Sequence, residues 1–415
     1  MKWNHLLLSM TAMSTVWSSW CLSMFNFTVV SKYIFLDSLS LLLVWSMLWV
    51  GVSLLIVPFS NSLPYSAISL SCSLLFYISP DWISFFVWFE ASMIPMFLLI
   101  FSHSLAPERM SASLFLFMYT VLASFPLLIY ILDIWVSSNT LSLSTSLWLP
   151  VREANWWGLL AWGSFLVKLP LFMTHLWLLK AHVEAPMLGS MLLAGVLLKF
   201  GGIGAFRLLS LMSYSPAVSS FIVGSSILGS AVTAMLASVS GDVKLAVAYA
   251  SVSHMNLGLA WGVLASFHGV SSFVYSMVAH SFSASMLFYS VTRSYEEVGS
   301  RSIVMVKGIL ADSPLSYFMG LLTWATNLNI PPFLGLWGEL IGFTVLFIHN
   351  PWLITIILIY FLFSSSYSMI LFMVQFQMKS KPLRTPAASA DYCIQHLSCC
   401  TPLVVGFLSI NILVI

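Results

Sequence analysis

Residues 155–177 read NWWGLLAWGSFLVKLPLFMTHLW, an apolar run with Lys168 and Pro170 in it. An apolar stretch of about 20 residues is long enough to cross the hydrocarbon core of a bilayer as a helix. A proline within such a helix removes one amide donor and frees the carbonyl four residues earlier, here that of Leu166. In lipid, an opening of this kind survives only where protein or a wet cavity satisfies it. The stretch therefore predicts a broken helix inside a helical bundle, with a lysine at the break.

The rest of the chain has the same character. It is 60% hydrophobic and 7% charged, with 17 Trp in 415 residues, and its mean hydropathy is +0.99, far beyond the apolar share of a soluble domain. The fold class is an all-α polytopic membrane protein. Apolar runs place helices near 5–25, 36–58, 62–79, 81–101, 112–134, 155–177, 184–208, 217–238, 243–264, 269–290, 312–346, 351–375 and 397–415, about 13 transmembrane helices. The polar connections near 135–154, 291–311 and 376–396 run to only about 20 residues, so no soluble domain is expected.

Lys and Arg in the short loops set the orientation. With helices at these positions, one side collects Lys2, Arg109, Lys180, Lys244, Arg293, Arg301, Lys307, Lys379, Lys381 and Arg384, and the other only Lys32, Arg152 and Arg207. The N-terminus then faces the matrix or cytoplasm. The first helix is expected to be retained, because no small-residue cleavage site follows Cys21.

Several function classes find no support. Cys21, Cys72, Cys393, Cys399 and Cys400 lack CxxC spacing and a matched His, which argues against an iron–sulfur or zinc site. Gly201, Gly202 and Gly204 lie on an apolar helix, where small residues permit close packing more readily than phosphate binding. Nothing implies a nucleotide or a nucleic acid partner.

A second break is expected in the long run 312–346, where Pro331 and Pro332 free the carbonyls of Asn327 and Leu328. Lys168-Leu-Pro-Leu-Phe-Met aligns with Asn329-Ile-Pro-Pro-Phe-Leu, a shift that carries position 168 onto position 329 and spans five helices. Five is odd, so the matching helices run in opposite directions, as in inverted repeats. The division that follows is 1–61, a first five-helix repeat over 62–208, a second over 217–375, and a last helix at 397–415. Paired broken helices point to a transport site.

Four ionisable side chains, Glu90, Lys168, Lys199 and Glu339, sit inside apolar runs. A charge at the bilayer centre costs roughly 2.5–3.5 kcal/mol, and such residues usually mark an ion or proton pathway. The presence of both acids and bases suits protons better than a pore of one sign. Lys168 is the natural partner of Glu90, and a pair that can be made and broken is a charge switch. Lys199 could instead snorkel toward the interface, and Glu339 could cap a broken helix. His254 and His280 lie near the middle of their helices and either titrate or simply hydrogen-bond. His175 and His182 approach a loop end.

The runs Phe89-Glu90-Ala91-Ser92-Met93-Ile94-Pro95, Val167-Lys168-Leu169-Pro170, His175 through Pro186 and Leu197-Leu198-Lys199-Phe200-Gly201-Gly202 closely resemble the subunit 4 family of proton-pumping NADH:ubiquinone oxidoreductase, respiratory complex I. Ala248 through Met255, Ala279-His280-Ser281, Pro331-Pro332 and Gly338-Glu339-Leu340 continue the likeness, which covers roughly residues 36–375. The mitochondrial form fits better than the bacterial one, because the third run reads His-Val-Glu-Ala-Pro.

The resemblance implies an antiporter-like subunit with two inverted five-helix repeats and two broken helices. It implies that Glu90 and Lys168 form a coupling ion pair, that Lys199, His254 and His280 lie along a hydrophilic axis, and that Glu339 is the terminal site. It places the chain in the mitochondrial inner membrane with its N-terminus in the matrix, among membrane lipids and the other membrane-arm subunits, especially the other antiporter-like ones. It implies no cofactor in this chain, with NADH, FMN, iron–sulfur clusters and ubiquinone in partner subunits, so that the chain is part of an enzyme but does no redox chemistry. The family has fourteen spans, which leaves this chain one short before Asp37. The rival readings are a stand-alone cation/proton antiporter of the same fold and a structural spacer.

Overall fold

The computed structural model describes residues 29–31, 34–56, 62–104, 107–146, 152–153, 156–209, 211–213, 215–264, 266–308, 314–377 and 390–414. The expected helix at 5–25, Cys21, Lys2, Lys32, Lys379, Lys381 and Arg384 lie outside the described residues. The α-helices of six or more residues are α1 (Ser38–Ile56), α2 (Leu63–Ile78), α3 (Trp82–Ala91), α4 (Met93–His103), α5 (Arg109–Ser138), α6 (Trp156–Lys168), α7 (Leu176–Glu184), α8 (Met187–Leu192) and α9 (Leu198–Leu209). They continue as α10 (Pro216–Val239), α11 (Val243–Val263), α12 (Phe267–Val298), α13 (Pro314–Asn327), α14 (Gly335–His349), α15 (Ile354–Phe372) and α16 (Ala390–Val414). A π-helical segment, Leu193–Leu197, joins α8 to α9. Four two-residue strands form two small pairs, Val29–Val30 with Phe35–Leu36 and Arg152–Glu153 with Met212–Ser213.

The architecture is all-helical and membrane-embedded. Six helical stretches among the described residues are long and apolar enough to cross a bilayer: Ser38–Leu55, Trp82–His103, Arg109–Ser138, Met187–Leu209, Pro216–Val239 and Pro351–Gln377. Of the other expected spans, those at 62–79 and 397–415 are apolar but shorter than 18 residues where described, and four more fall short for two physical reasons. Those at 155–177 and 312–346 are cut into pieces by their proline breaks. α11 and α12 are long but carry Lys244, His254, Asn256 and His280, and they are buried almost all round by other helices. A helix that meets protein on every side does not have to be lipophilic.

Loops assigned to one side by the helix count meet one another. Lys180 pairs with Glu108 at 4.0 Å and Arg301 with Glu184 at 3.8 Å, and Asp242 bridges to Ser302. At the other end Arg207 pairs with Asp37 at 3.4 Å and Asp81 bridges to Ser142.

The two bridges are a repeat in themselves. Trp82 N donates to Leu141 O at 3.0 Å and Leu143 N to Pro80 O at 2.8 Å; Val243 N donates to Arg301 O at 3.1 Å and Ile303 N to Gly241 O at 2.9 Å. The shift that carries Asp81 onto Asp242 is the same one expected from sequence, 168 onto 329. At the helix breaks the register differs. Leu169 N to Phe165 O, Leu171 N to Leu166 O and Thr174 N to Leu171 O recur as Leu328 N to Trp324 O, Ile330 N to Ala325 O and Phe333 N to Ile330 O. Each of these matches falls two positions short of that shift, so Lys168 corresponds to Asn327, the last residue of α13, and not to Asn329. The proline-based alignment fails because the turn geometry, not the proline, sets the register.

The small residues of α9 act as packing contacts. A Cβ on Gly201 would lie 2.5 Å from the Leu169 amide nitrogen and 2.8 Å from the Phe165 carbonyl oxygen, both backbone atoms of the first break. Gly201→Ala is therefore expected to destabilise the fold by about 1–3 kcal/mol, the cost of overpacking a core that cannot yield. Thermal denaturation of the purified protein measures it, and an unchanged midpoint would show that the break accommodates a methyl group.

Candidate functional site

Both broken helices are held open by protein groups. Past Lys168 the chain turns through residues 169–175 before α7 begins. The Leu166 carbonyl accepts from Leu171 N at 3.2 Å and Thr174 Oγ1 at 3.2 Å. Trp177 Nε1 donates to Val167 O at 2.9 Å, and Asn256 Nδ2 on α11 donates to Pro170 O at 3.1 Å. At the second break Asn329 adopts φ 53°, a left-handed conformation that asparagine tolerates better than most residues. Its Nδ2 donates to Glu339 Oε1 at 2.7 Å. A side chain at Gly335 would run into that of Asn329, so glycine there lets α14 begin beside the turn.

The first acid and base meet at the first break. Lys168 Nζ lies 3.5 Å from Glu90 Oε1, donates to Phe89 O at 2.9 Å, and sits 3.0 Å from the centroid of the Phe89 ring. An ammonium has three donors and no acceptor, and here a carboxylate, a carbonyl and an aromatic face surround it. The Lys168 side chain is 1% exposed and that of Glu90 22%, so the pair is buried mainly at its basic end.

The second base lies deep between α9 and α12. Lys199 is buried, its Nζ 2.6 Å from Ala194 O and 2.9 Å from His280 Nδ1. It does not snorkel. The π-helical turn that carries Ala194 directly precedes it, and single π turns within helices are frequent at functional sites. The Lys199–His280 hydrogen bond can form with the proton on either nitrogen, depending on the protonation of each group.

From His280 the polar line continues. The rings of His280 and His254 are 6.2 Å apart between centroids, and His254 Nδ1 is 3.1 Å from Tyr360 Oη on α15. A cavity of about 10 Å³ is bordered by His254, His280, Ser276, Ser283, Asn327, Asn329 and Glu339, which is room for about one water molecule. Glu339 is buried, and its hydrogen bond from Asn329 is to a side chain across the break, not a cap on a helix end. Asn327 donates to Tyr367 Oη at 3.2 Å.

All six expected residues, Glu90, Lys168, Lys199, His254, His280 and Glu339, thus lie at the two breaks or between them. Two further residues, Tyr360 and Tyr367, escaped the sequence reading, and a third, His182, was read without a role. Tyr360 is the position onto which the repeat shift, 168 onto 329, carries Lys199, so the repeat could have found it. Tyr367 follows it two helical turns later on the same side of α15. His182, expected near a loop end, is fully buried. Among the described residues, no group of three or more His, Cys, Asp or Glu side chains could hold a metal ion.

Residues 79–366 match the family described as NADH:quinone oxidoreductase/Mrp antiporter, transmembrane. The NADH-ubiquinone oxidoreductase chain 4 of Lumbricus terrestris is 34% identical over 339 residues, 77% of this chain and 74% of that protein. The chain belongs to the chain 4 family. The chain 4 protein of Carassius auratus is 33% identical over 386 residues, covering 88% of this chain and 83% of its own length. Among solved structures, a chain of respiratory complex I from Thermus thermophilus with bound NADH superposes with a TM-score of 0.80 at 23% identity, covering 95% of this chain and 89% of that one. That likeness shows that the two chains share a fold. In this chain 4 member, both breaks and all six site residues fall between residues 79 and 366.

Proposed function

We propose that this chain 4 protein is the antiporter-like membrane subunit through which respiratory complex I moves protons, driven by NADH oxidation and ubiquinone reduction in other subunits. The observation that carries the reading is the line of titratable groups from Lys199 through His280, His254 and Tyr360 to the cavity beside Glu339. Groups that both accept and donate protons, set in an apolar bundle, suit a proton relay. The Glu90–Lys168 pair is the coupling switch: closed, it holds the lysine's charge at the first break; opened, it frees that charge to act on Lys199. Glu339 is the terminal site.

The repeated bridges at Asp81 and Asp242 and the repeated turn pattern at the two breaks support two inverted five-helix repeats, 62–208 and 217–375. With the helix expected from sequence at 5–25, the count is about thirteen spans. The grouping of Lys180, Lys244 and Arg301 at one end supports a matrix-side N-terminus in the mitochondrial inner membrane. NADH, FMN, iron–sulfur clusters and ubiquinone belong to partner subunits, and the neighbours within the membrane arm are the other antiporter-like subunits and lipid.

The test is isolation of native membranes with this chain tagged. It is expected to co-migrate with an NADH-oxidising assembly whose turnover acidifies one side of sealed vesicles. Migration alone, with cation-dependent proton exchange and no NADH oxidation, would instead identify a stand-alone antiporter.

A further inference from the structure

Glu339 stands apart from the other buried acids of the bundle. It is 7% exposed, and no cation lies within ion-pair distance of it among the described residues. Glu90, Asp37 and Glu184, by contrast, each face a lysine or an arginine. Among the described residues its one side-chain hydrogen bond comes from a neutral donor, Asn329 Nδ2, 2.7 Å from Oε1. The other titratable groups around it are His254 and His280 across the small cavity, and Tyr360 and Tyr367 on α15, with which it interacts electrostatically.

The donor is fixed from two sides. Asn329 lies on the turn between α13 and α14 with φ 53°, a conformation that costs asparagine less than most residues. Its amide oxygen fills the place that a Cβ on Gly335 would take. The carboxamide is therefore wedged between the first turn of α14 and the carboxylate one turn further on. A carboxylate only accepts hydrogen bonds, so the amide nitrogen of Asn329 must face Glu339 and the amide oxygen must face Gly335.

We propose that Asn329 is a positioning residue that tells the two protonation states of Glu339 apart, holding the carboxylate turned to the axis cavity and releasing the neutral acid. The proposal rests on the translocation reading above and adds to it the residue that sets direction at the terminal site. A hydrogen bond to an ionised acceptor is roughly twice as strong as one between neutral groups. While Glu339 is a carboxylate, the bond from Asn329 keeps it beside His254 and His280, where a proton can reach it. An imidazolium on the axis then gives up a proton: its N–H bond breaks, an O–H bond forms on a carboxylate lone pair, and the imidazole is left neutral. The charge that made the Asn329 bond strong is gone. The new O–H needs an acceptor, and the amide oxygen, turned to Gly335, does not supply one. The loaded acid is free to rotate away from the cavity, and the emptied carboxylate is drawn back. A site that faces the axis when empty and leaves it when loaded does not hand its proton back to the histidines.

The experiment uses the intact complex in sealed vesicles and reads protons translocated per NADH, with Glu339→Gln as the reference. Asn329→Gly keeps the turn, since glycine adopts a positive φ freely, and removes the donor. Its ratio is expected to fall as far as that of Glu339→Gln. Asn329→Asp keeps the size and puts an acceptor in place of the donor. Two carboxylates this close cannot both ionise, so one proton stays between them. This variant is expected to lose the same share of the ratio and to show, by infrared difference spectroscopy, a carboxylic-acid carbonyl band that the native complex lacks. A role in packing alone would not produce that band. An unchanged ratio in Asn329→Gly or in Asn329→Asp, alongside a fall in Glu339→Gln, would overturn the proposal and leave the translocation reading standing. Loss in Asn329→Asp without the band would do the same. An unchanged ratio in all three variants would overturn the role of Glu339 in translocation itself. Should Asn329→Gly not assemble, the same-size Asn329→Asp decides by ratio and band together, and failure of both to assemble would make Asn329 a folding residue and end the proposal.

Discussion

Glu90→Gln is expected to abolish coupled proton translocation while leaving NADH oxidation by an artificial acceptor intact. Glutamine keeps the size and hydrogen-bonding capacity of the side chain but not the charge that Lys168 faces at 3.5 Å. Without it the ammonium keeps the Phe89 carbonyl and ring but has no counter-ion at this contact. Breaking a fully buried pair by removing one partner costs about 3–5 kcal/mol. The cost here should be lower, about 1–3 kcal/mol, because Glu90 is 22% exposed and water screens its end of the pair. Assembly is therefore measured first, by native electrophoresis, and pumping second, by quenching of a pH-sensitive dye in vesicles. An assembled variant with full pumping would show that the pair is a structural tie and not a switch.

Glu339→Gln is expected to lower the number of protons translocated per NADH, again with artificial-acceptor oxidation unchanged. The carboxylate lies past the second break, bordering the small cavity shared with His254 and His280, and Asn329 holds it in place at 2.7 Å. A glutamine can keep a hydrogen bond with Asn329 but cannot take up and release a proton. Moving one charge across the membrane potential is worth about 2.3 kcal/mol per 100 mV, so release against the gradient requires a site whose affinity for a proton changes during the cycle. Only the acid can do that. Stoichiometry measured as the ratio of initial proton and electron fluxes decides the matter, and an unchanged ratio in the intact complex would make Glu339 a structural partner of Asn329.

Legibility differed between local and non-local features. The breaks could be read at Pro170 and at Pro331–Pro332, since the missing amide is a property of the residue itself. Glu90, Lys168, Lys199 and Glu339 could be picked out as ionisable groups within apolar runs, where a charge is costly. Tyr360 could be reached only by carrying Lys199 across the repeat, because a tyrosine in an apolar helix is otherwise ordinary until His254 Nδ1 is found 3.1 Å away. His182 was placed near a loop end by its position along the chain, yet it is enclosed by α12 and by loops that return from far along the sequence.

By itself, the sequence determined that this chain is a helical membrane protein, where its helices break and which ionisable groups lie within apolar runs. These follow from hydropathy, proline chemistry and the cost of a buried charge, all of which act along the chain. Only the tertiary structure decided that Lys199 bonds His280 rather than snorkelling, that Lys168 corresponds to Asn327, and that His182 is buried against Phe288. Those relations depend on how helices distant in sequence pack, down to the register of a single turn, and neither composition nor spacing carries that information.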